Sequence, residues 1–423
     1  MKILIENSGY HLLNMGDLAM LQVALSRLSS LWPHSKLYVF TTDTDLLAKF
    51  CPNAHPLHPP KGELWFPCLF ERLQRFIPNN SVKKWYVEFE WFLHKSLSIL
   101  TTPLLRSKLR KRSRHNSSLD FLWNIVENVD LVVASGGGYI TDAFPYKATQ
   151  ALSILNLATW LKKPTIMLGH GLGPLQDTAL ESMARTVLPR VDFISLRENQ
   201  FGSALLKKLN VCPRHIAVTG DDALELAYNA RQPELGSGIG INLRIASYSE
   251  VGSDISDLVR EVLVGTAAER NVPLIPIPIA RSETSNDCKA IRLLLAEYDQ
   301  SSDGGEALDA PMKVVEQVGH CRLVVTGSYH AGVFALAQGI PVICLAKSEY
   351  YIHKFVGLAN QFGGVGCAVL LLNNPQLKEQ LSNAINDAWE SAEINRPRIL
   401  KFANEQIESS LIAYQTVYKL IKN

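Results

Sequence analysis

Residues 324–341 read VVTGSYHAGVFALAQGIP and contain the pattern that decides the fold. Residues 322–326 form an apolar run that predicts a strand, the next two residues predict a turn, and residues 330–338 predict a short helix. Pro341 then begins the apolar run of another strand. A strand, a turn, a helix and a second strand in this order are the repeating unit of a parallel sheet covered by helices.

The same unit repeats on both sides of this stretch. The first half contains predicted strands at residues 3–5, 37–40, 131–134, 165–168, 193–196 and 216–218. Leucines from Leu18 to Leu31 recur at spacings of three and four, which predicts an amphipathic helix. After Gly236 the series restarts, with predicted strands at 239–243, 273–277 and 341–345 and a helix from 253 to 270. The fold class is therefore α/β, with two Rossmann-like doubly wound parallel sheets.

The length of the chain agrees with this division. A chain of 423 residues is too long for one ordinary core. We expect an N-terminal domain at residues 1–230, a C-terminal domain at 236–385, and a closing segment at 386–423 that packs back. Two helices are predicted to end the chain.

Composition excludes several classes of protein. Hydrophobic residues make up 47% and charged residues 19%, which is typical of a globular protein. The formal net charge of +2 provides no overall field for nucleic acid. The seven scattered cysteines suggest buried thiols rather than a disulfide framework or a metal site. No signal sequence or membrane span is recognisable, and a cytoplasmic protein is expected.

Residues 59–118 interrupt the first predicted sheet. Tryptophan, tyrosine and phenylalanine are frequent from Trp65 to Phe92, and six basic residues lie between Arg106 and Arg114. An inserted helical hairpin whose aromatic residues pack on the domain is the favoured interpretation. The alternative is contact of residues 85–114 with a membrane surface that carries anionic lipids. Nucleic acid is not an expected partner.

Glycine-rich loops follow the strands of the first half, where ligands bind in an open parallel sheet. Asn14 and Asp17 lie between the first strand and the helix that follows it. Two interpretations fit this loop: it binds an anion at the helix N-terminus, or Asp17 merely caps the helix. Gly137 and Gly138 follow the strand at 131–134, and Asp142 comes shortly after. The loop is not the GxGxxG pattern of nicotinamide enzymes.

Further polar residues follow later strands. His170 lies between two glycines, which favours a site role over a packed core histidine. Arg197 follows the strand at 193–196 and can clamp a carboxylate or phosphate. Asp221 and Asp222 read either as paired carboxylates or as helix caps, and for Asp222 the cap is favoured.

Candidate residues of the second half lie around residues 324–341. Arg244 ends a strand and should point towards the cleft between the domains. His330 lies at a helix start, where free backbone N–H groups favour a phosphate, and can act as a general acid or base. Lys354 lies beyond the next strand and is a second anion contact, together with Lys347, Tyr350 and Tyr351.

The order of these motifs resembles the polysaccharide pyruvyl transferase family. The matching motifs are Asn14-x-Gly16-Asp17, Gly136 to Gly138, Gly169-x-Gly171-x-Gly173-Pro174, Ser195-x-Arg197, Asp221-Asp222-Ala223 and His330 with Gly339-Ile340-Pro341. The resemblance implies a GT-B-like fold and the transfer of pyruvate from phosphoenolpyruvate to a pair of sugar hydroxyls as a ketal. It implies no metal and no cofactor besides the donor.

The resemblance also implies roles for the candidate residues. His330 and Asp17 would be catalytic. The donor would contact Arg197, Arg244, Ser328, Tyr329, His330 and Lys354, and the acceptor would contact Asn14, Gly137, Gly138, Asp142 and His170. This chain departs from the family at Ser328, because the family carries Arg-Leu-His where this chain has Ser-Tyr-His. Arg197, Arg244, Lys347 or Lys354 would have to replace the missing guanidinium.

Two other functions fit the same pattern. A GT-B glycosyltransferase would bind a nucleotide sugar with its diphosphate at the helix of His330. A non-catalytic member would bind glycans without a donor. The expected partner in each case is a glycan or a lipid-linked saccharide, and a lipid-linked acceptor would place the protein at the inner membrane surface.

Overall fold

The structure is a computed structural model. It describes residues 1–7, 9–60, 117–244, 249, 252–296, 298, 299 and 301–422, together with the isolated residues 89, 93, 101, 103, 104 and 107. The predicted insertion at 59–118, and the membrane contact proposed for 85–114, therefore lie almost wholly outside the described residues. None of the helices in the described part of the chain is long and apolar enough to cross a membrane.

The first half of the chain forms an eight-stranded parallel sheet within the described residues. Its strands are β1 (Lys2–Glu6), β2 (Lys36–Phe40), β3 (Ala54–Leu57), β4 (Leu131–Ala134), β5 (Gly137–Ile140), β6 (Thr165–Leu172), β7 (Phe193–Leu196) and β8 (Ile216–Val218). The order is β3-β2-β1-β4-β6-β7-β8, and β5 pairs with the far end of β6. The order changes direction beside β1, which puts the loops after β1 and β4 at the switch point where ligands bind in such sheets.

The second half forms a smaller parallel sheet. Its strands are β9 (Gly238–Asn242), β10 (Leu274–Pro276), β13 (Cys321–Thr326), β14 (Val342–Ala346) and β15 (Cys367–Leu371), in the order β10-β9-β13-β14-β15. Two short strands, β11 (Arg281–Ser282) and β12 (Ser285–Asn286), form an antiparallel pair beside it. The predicted strand, turn and helix around residues 324–341 are confirmed, with β13 at the centre of this sheet.

Helices cover both sheets. They are α1 (Met15–Leu31), α2 (Thr44–Phe50), α3 (Ser117–Glu127), α4 (Pro145–Trp160), α5 (Thr178–Val187), α6 (Gln200–Lys208), α7 (Ala223–Asn229), α8 (Ser253–Arg270), α9 (Asp287–Leu295), α10 (Pro311–Val318), α11 (Tyr329–Ala337), α12 (Glu349–Gln361) and α13 (Leu377–Lys422). The helix predicted at 253–270 and the strands predicted at 131–134, 193–196 and 216–218 are confirmed to the residue.

The two halves share one hydrophobic cluster. Met15, Ala19 and Met20 of α1 lie in the same buried cluster as Val314 of α10 and Phe334 of α11. A shared core of this kind holds the two sheets against each other, because separating them would expose apolar surface to water. The loops at the carboxyl ends of the two sheets are thereby brought together.

The end of the chain differs from the prediction. Residues 377–422 form the single helix α13, so the prediction that two helices end the chain is wrong. This helix also begins before residue 386, where we expected the closing segment to start. The first turns of α13 bury Leu381 and Ile385 in the core of the second half. Its last turns bury Tyr414 and Val417 in the core of the first half. Burial at both ends keeps one helix continuous across the two halves.

Candidate functional site

The carboxyl ends of the two sheets meet at the start of α1. Met15 N–H donates to the Ile279 carbonyl over 2.8 Å, and Arg281 N–H donates to the Leu13 carbonyl over 2.9 Å. Gly16 lies directly against the ring of His330, since a Cβ at this glycine would lie 1.9 Å from His330 Cγ. The two halves are therefore in backbone and side-chain contact at the predicted site, and we call this contact zone the domain seam.

Asn14, rather than Asp17, caps α1. The Asn14 Oδ1 accepts from the N–H groups of Gly16 at 3.0 Å and Asp17 at 3.2 Å. The interpretation that Asp17 merely caps the helix is therefore wrong. Its carboxylate is half-buried, and its charge acts to raise the pKa of both Arg197 and Lys354. Asp17 thus lies close enough to both of these cations for its charge to act on them.

Arg197 is buried at the end of β7, among glycines. A Cβ at Gly138 would lie 2.6 Å from Arg197 Nη2, and one at Gly171 would lie 2.5 Å from Arg197 Nε, so a larger residue at either position would collide with the guanidinium. Arg197 lies 4.1 Å above the centre of the Tyr329 ring, which comes from the other half. Burial alone would lower the pKa of Arg197, but Tyr329 and Asp221 outweigh it and the pKa is raised. The guanidinium is therefore charged.

Arg244 occupies the neighbourhood of Ser328. Its Nη2 donates to Ser328 Oγ at 3.0 Å and to Asp287 Oδ2 at 2.9 Å, and its Nη1 donates to Ser285 Oγ at 3.2 Å. The side chain is buried. A guanidinium thus lies beside residue 328, the position at which the family resemblance expects an arginine, although it is carried by the loop after β9.

Asp287 organises the surroundings of Arg244. Its Oδ2 also accepts from Asn242 Nδ2 at 2.8 Å and from the backbone N–H groups of Ile279 and Ala280, each at 2.9 Å. Because Ile279 accepts in turn from the start of α1, this carboxylate connects the arginine to the domain seam. Sequence reasoning missed Asp287, since it follows no predicted strand. The available signal was the Ser-Asn-Asp run at residues 285–287, which leads into α9.

Lys354 of α12 is the third cation of the site. Its Nζ donates to Tyr350 Oη at 2.7 Å, and Tyr350 Oη donates to the Gly138 carbonyl at 3.0 Å, across the seam. The ammonium lies 4.4 Å from the centre of the Tyr350 ring and 5.2 Å from that of Tyr329. The pKa of Lys354 is held well below its usual range, chiefly by burial and next by the charge of Arg197.

His330 faces a carboxylate from the other half. Its Nε2 lies 3.7 Å from Asp221 Oδ2, and the same oxygen lies 3.5 Å from Arg197 Nη1. Asp221 Oδ1 accepts from Ala223 N–H at 2.9 Å. Burial would raise the pKa of Asp221, but His330 and Arg197 outweigh it and the pKa is lowered. Asp221 is therefore an ionised carboxylate that lies between Arg197 and His330. The sequence alone left open whether it is one of a pair of carboxylates or a helix cap.

Asp222 points the other way. Its side chain makes no cap hydrogen bond to α7. Instead it accepts from Arg27 Nη1 at 3.1 Å, Ser410 Oγ at 2.6 Å and Tyr414 Oη at 2.7 Å. The favoured cap interpretation of Asp222 is therefore wrong, because the carboxylate joins α1 and α13 to the loop before α7.

One predicted acceptor residue, His170, lies outside the cleft. His170 is fully buried, because β6 continues through it and pairs with β5; its Nε2 donates to the Ala134 carbonyl at 3.1 Å and its ring meets Tyr139 edge-on. The argument that a histidine between two glycines is not a packed core histidine is therefore wrong. Asp142 accepts from the backbone N–H groups of Gln176 and Asp177, so its carboxylate braces the loop after β6.

The remaining predicted residues converge. Among the described residues, the seam brings together Asn14, Asp17, Gly138, Arg197, Arg244, Ser328, Tyr329, His330 and Lys354. Gly137 directly precedes Gly138 in the chain and lies beside Tyr139, since a Cβ at Gly137 would lie 2.5 Å from the ring of that tyrosine. With Asp221 and Asp287, the cluster combines three basic side chains, one histidine and three carboxylates.

A spacious cavity lies away from this cluster. It measures about 850 Å³ and lies between α1, α7 and the start of α10, near the amino ends of β2 and β3. Glu225 is the only charged residue among the described residues that line it, and its carboxylate is held by Arg27. The described lining of this cavity therefore offers no cationic side chain to an anion, whereas the cluster at the seam does.

Comparison with solved structures identifies the fold. A putative UDP-N-acetylglucosamine 2-epimerase from Listeria monocytogenes aligns over 100% of this chain and 95% of its own, with a TM-score of 0.56 and 13% identity. The Anabaena protein Alr3699/HepE, solved in complex with UDP and glucose, aligns over 100% and 99%, with a TM-score of 0.52 and 12% identity. The GT-B-like arrangement predicted from sequence is confirmed.

Comparison of sequences identifies the family. The amylovoran biosynthesis protein AmsJ of Erwinia amylovora is 22% identical over 260 residues, which are 56% of this chain and 60% of the relative. The chain thus spans less than two thirds of that relative's length. The family model for polysaccharide pyruvyl transferase matches residues 14–349, which include most of the seam cluster, with Lys354 just beyond the match. The chain belongs to the polysaccharide pyruvyl transferase family.

Proposed function

We propose that this protein transfers pyruvate from phosphoenolpyruvate to two hydroxyls of a sugar, as a ketal, during polysaccharide or glycan biosynthesis. The observation that carries the proposal is the convergence of Arg197, Arg244 and Lys354 at one point of the domain seam beside His330. A small donor with three negative charges needs several cationic groups at close range.

The charge balance of the cluster supports an anionic ligand. Asp221 faces Arg197, and Asp287 binds Arg244. Lys354 has no carboxylate within 4 Å in the described part of the chain, and its ammonium donates to a tyrosine hydroxyl instead. An ammonium that is partly buried and has no counter-ion is disfavoured. A carboxylate or phosphate of the donor would supply the missing charge.

Arg244 takes over the role of the arginine that the family carries at residue 328. Its guanidinium already contacts Ser328 Oγ and is held by Asp287 and Ser285. The donor carboxylate or phosphate would bind the face of the guanidinium at the seam.

The reaction balances without an added oxidant or metal. The two sugar oxygens bond to the enol carbon of the donor, and the bond from that carbon to the phosphate oxygen breaks. Of the two hydroxyl protons, one ends on the methylene carbon, which becomes a methyl group, and the other ends on the released phosphate. His330 lies against Gly16 in the seam and Asp17 follows that glycine, and these two are the groups that move the protons.

The acceptor would enter from the side of α1. Asn14, Asp17, Gly137 and Gly138 belong to this part of the seam, and the glycan or lipid-linked saccharide would lie against them. A lipid-linked acceptor would bring the protein to the inner membrane surface. The full burial of His170 removes it from the set of acceptor contacts, whereas the half-buried Asp142 stays in that set.

A nucleotide-sugar glycosyltransferase is the second candidate. The Anabaena protein of the same fold was solved with UDP and glucose, and α11 begins at the seam, where its free N–H groups suit a diphosphate. A non-catalytic glycan-binding protein is the third candidate and would bind neither donor.

The test measures donor binding and phosphate release. A thermal-shift series compares phosphoenolpyruvate with UDP and other nucleoside diphosphates, since a ligand of the native state raises the melting temperature. We expect a shift with phosphoenolpyruvate and release of inorganic phosphate when a glycan acceptor is added. A shift with nucleotides alone would replace this proposal with the glycosyltransferase, and no shift with either would favour the glycan-binding protein.

A further inference from the structure

Asp221 is the point at which functional groups from both halves meet. It lies in the loop between β8 and α7 of the first half. One of its oxygens, Oδ2, faces Arg197 of the first half at 3.5 Å and His330 of the second half at 3.7 Å. All three side chains are buried. The contact with His330 exists only while the two halves are together.

We propose that Asp221 is a positioning residue that orients the imidazole of His330 across the domain seam, with the proton on Nε2 and the lone pair on Nδ1. The nitrogen that exchanges protons with the substrate is then Nδ1. The role of His330 in the reaction rests on the proposed function, whereas the orientation of its ring does not.

The hydrogen-bonding capacity of Asp221 determines the tautomer. An ionised carboxylate only accepts, so the nitrogen facing it must carry the proton. Oδ1 is already used by Ala223 N–H, which leaves Oδ2 for His330. Nε2 has no hydrogen-bond partner among the described residues, since 3.7 Å is too long for a hydrogen bond. Catalytic hydrogen bonds commonly shorten when the substrate binds.

The other ring nitrogen, Nδ1, lies at the start of α1. A Cβ at Gly16 would lie 2.1 Å from His330 Nδ1, so this nitrogen lies against the first turn of the helix. Asp17 follows Gly16 directly and is half-buried there. A neutral ring with its lone pair on Nδ1 can accept a hydroxyl proton from an acceptor bound at this turn.

A competing role for Asp221 is that of counter-ion to Arg197. Both contacts use the same oxygen, so geometry alone does not separate them. Removal of the charge does separate them, because the two roles predict different effects. Loss of a counter-ion for Arg197 would change donor binding, whereas loss of a positioning residue would change the proton position on His330 and the turnover.

The variant Asp221→Asn distinguishes the two roles. Ala223 N–H needs an acceptor, so the amide oxygen takes the place of Oδ1 and the amide NH₂ group takes the place of Oδ2. The NH₂ group then faces His330 Nε2, which must become an acceptor, and the ring proton moves to Nδ1. The substitution therefore favours the opposite tautomer of His330 with a side chain of the same shape.

The first measurement is the nitrogen NMR spectrum of the full-length protein labelled in its histidines, recorded in alkaline buffer. His330 is assigned by its loss in His330→Gln. We expect Nε2–H in the unmodified protein and Nδ1–H in Asp221→Asn. Asp222→Asn is the matched control, because Asp222 is equally buried but binds Arg27, Ser410 and Tyr414; its His330 signals should not change.

The second measurement is kinetic. In Asp221→Asn we expect kcat for phosphate release to fall by about 10²–10⁴-fold, the size of an acid–base contribution, with little change in KM for phosphoenolpyruvate. In the His330→Gln background the same substitution should cost nothing further.

Each outcome has a consequence. A proton on Nδ1 in the unmodified protein, or an unchanged tautomer in Asp221→Asn, would overturn the proposal. A raised KM with an unchanged kcat would assign Asp221 to Arg197 instead. Failure of the unmodified protein to release phosphate would refute the proposed function, and the NMR result would still decide the role of Asp221.

Discussion

Arg244 Nη2 and Ser328 Oγ are joined by a 3.0 Å hydrogen bond between the ends of two adjacent strands, β9 and β13. A guanidinium carried by the loop after the neighbouring strand thus lies beside residue 328, where the family resemblance expects an arginine. Because parallel strands align their carboxyl ends, an arginine can move from one strand to the next and still reach the same ligand.

The first prediction concerns this arginine. Arg244→Lys keeps a positive charge but loses the fork of donors, and we expect KM for phosphoenolpyruvate to rise by about 10–100-fold, the loss of one strong charge-assisted hydrogen bond. The melting temperature without ligand is measured in parallel, since Asp287 loses part of its pairing. Arg231→Ala, an exposed arginine over Tyr228, is the control and should leave KM unchanged. An unchanged KM in Arg244→Lys would place the donor elsewhere.

The second prediction concerns the proton on Lys354. Burial and Arg197 lower its pKa, so the charged amine is disfavoured in the free protein. A bound anion favours the charged form of Lys354 and raises its pKa again. At a pH above the pKa of Lys354 in the free protein, binding of phosphoenolpyruvate should therefore be accompanied by uptake of a proton. Calorimetry in two buffers of different ionisation enthalpy measures this uptake.

The variants make the assignment to Lys354. Lys354→Met should abolish the proton uptake and weaken donor binding, while Lys401→Met, at an exposed lysine of α13, should retain both. Binding heats that do not depend on the buffer in the unmodified protein would contradict this prediction.

The third prediction follows from the burial of His170. Burial is the main reason that the pKa of His170 falls from 6.5 to about 4. The hydrogen bond to the Ala134 carbonyl acts to raise this pKa, and the charge of Arg197 makes a smaller contribution that lowers it. The unfolded chain therefore binds the proton first as pH falls, and stability is lost between pH 6.5 and 4. The shift corresponds to about 3 kcal/mol of unfolding free energy.

Urea unfolding against pH measures this loss. His170→Gln keeps a donor for the Ala134 carbonyl but has no group that titrates, and its stability should fall less over the same interval. His34→Gln, at an exposed histidine, is the control and should behave like the unmodified protein. A decline in His170→Gln as steep as in the unmodified protein would refute the assignment.

The fourth prediction concerns the contact between Gly16 and His330. Gly16→Ala places a Cβ 1.9 Å from His330 Cγ, so the ring or the two halves must move apart. We expect kcat to fall by at least about 10²-fold, since misplacing a catalytic group by roughly 1 Å has this effect. Alanine has a higher helix propensity than glycine, so the substitution does not by itself weaken α1.

Gly265→Ala in α8 is the matched control. Nothing lies within 4 Å of a Cβ there, so the substitution should stabilise the protein by about 0.5–1 kcal/mol and leave kcat unchanged. Unchanged activity in Gly16→Ala would mean that the contact with His330 does not matter for turnover.

Prediction from the sequence succeeded where the signal is local. Apolar runs located β4, β7 and β8 to the residue, and the spacing of apolar residues located α8. Local patterns are sufficient here because burial on both faces of a parallel sheet requires near-continuous apolar strands. The order of the short motifs was enough to identify the family.

Prediction failed where a contact from elsewhere extends or redirects an element. β6 continues past its apolar run because β5 pairs with its end, and this pairing buries His170. α13 continues through residue 386 and beyond because its two ends bury side chains in two different cores. Neither partner is visible in the segment that it changes.

The sequence by itself determined the two α/β halves, the family, and the residue types that carry the chemistry. Only the tertiary structure decided which of these residues meet. Arg244 reaches Ser328 because β9 pairs with β13, and Asp221 reaches His330 because the two halves close on a shared core. These contacts depend on strand pairing and domain packing between segments far apart in the chain, and no local pattern of residues specifies them.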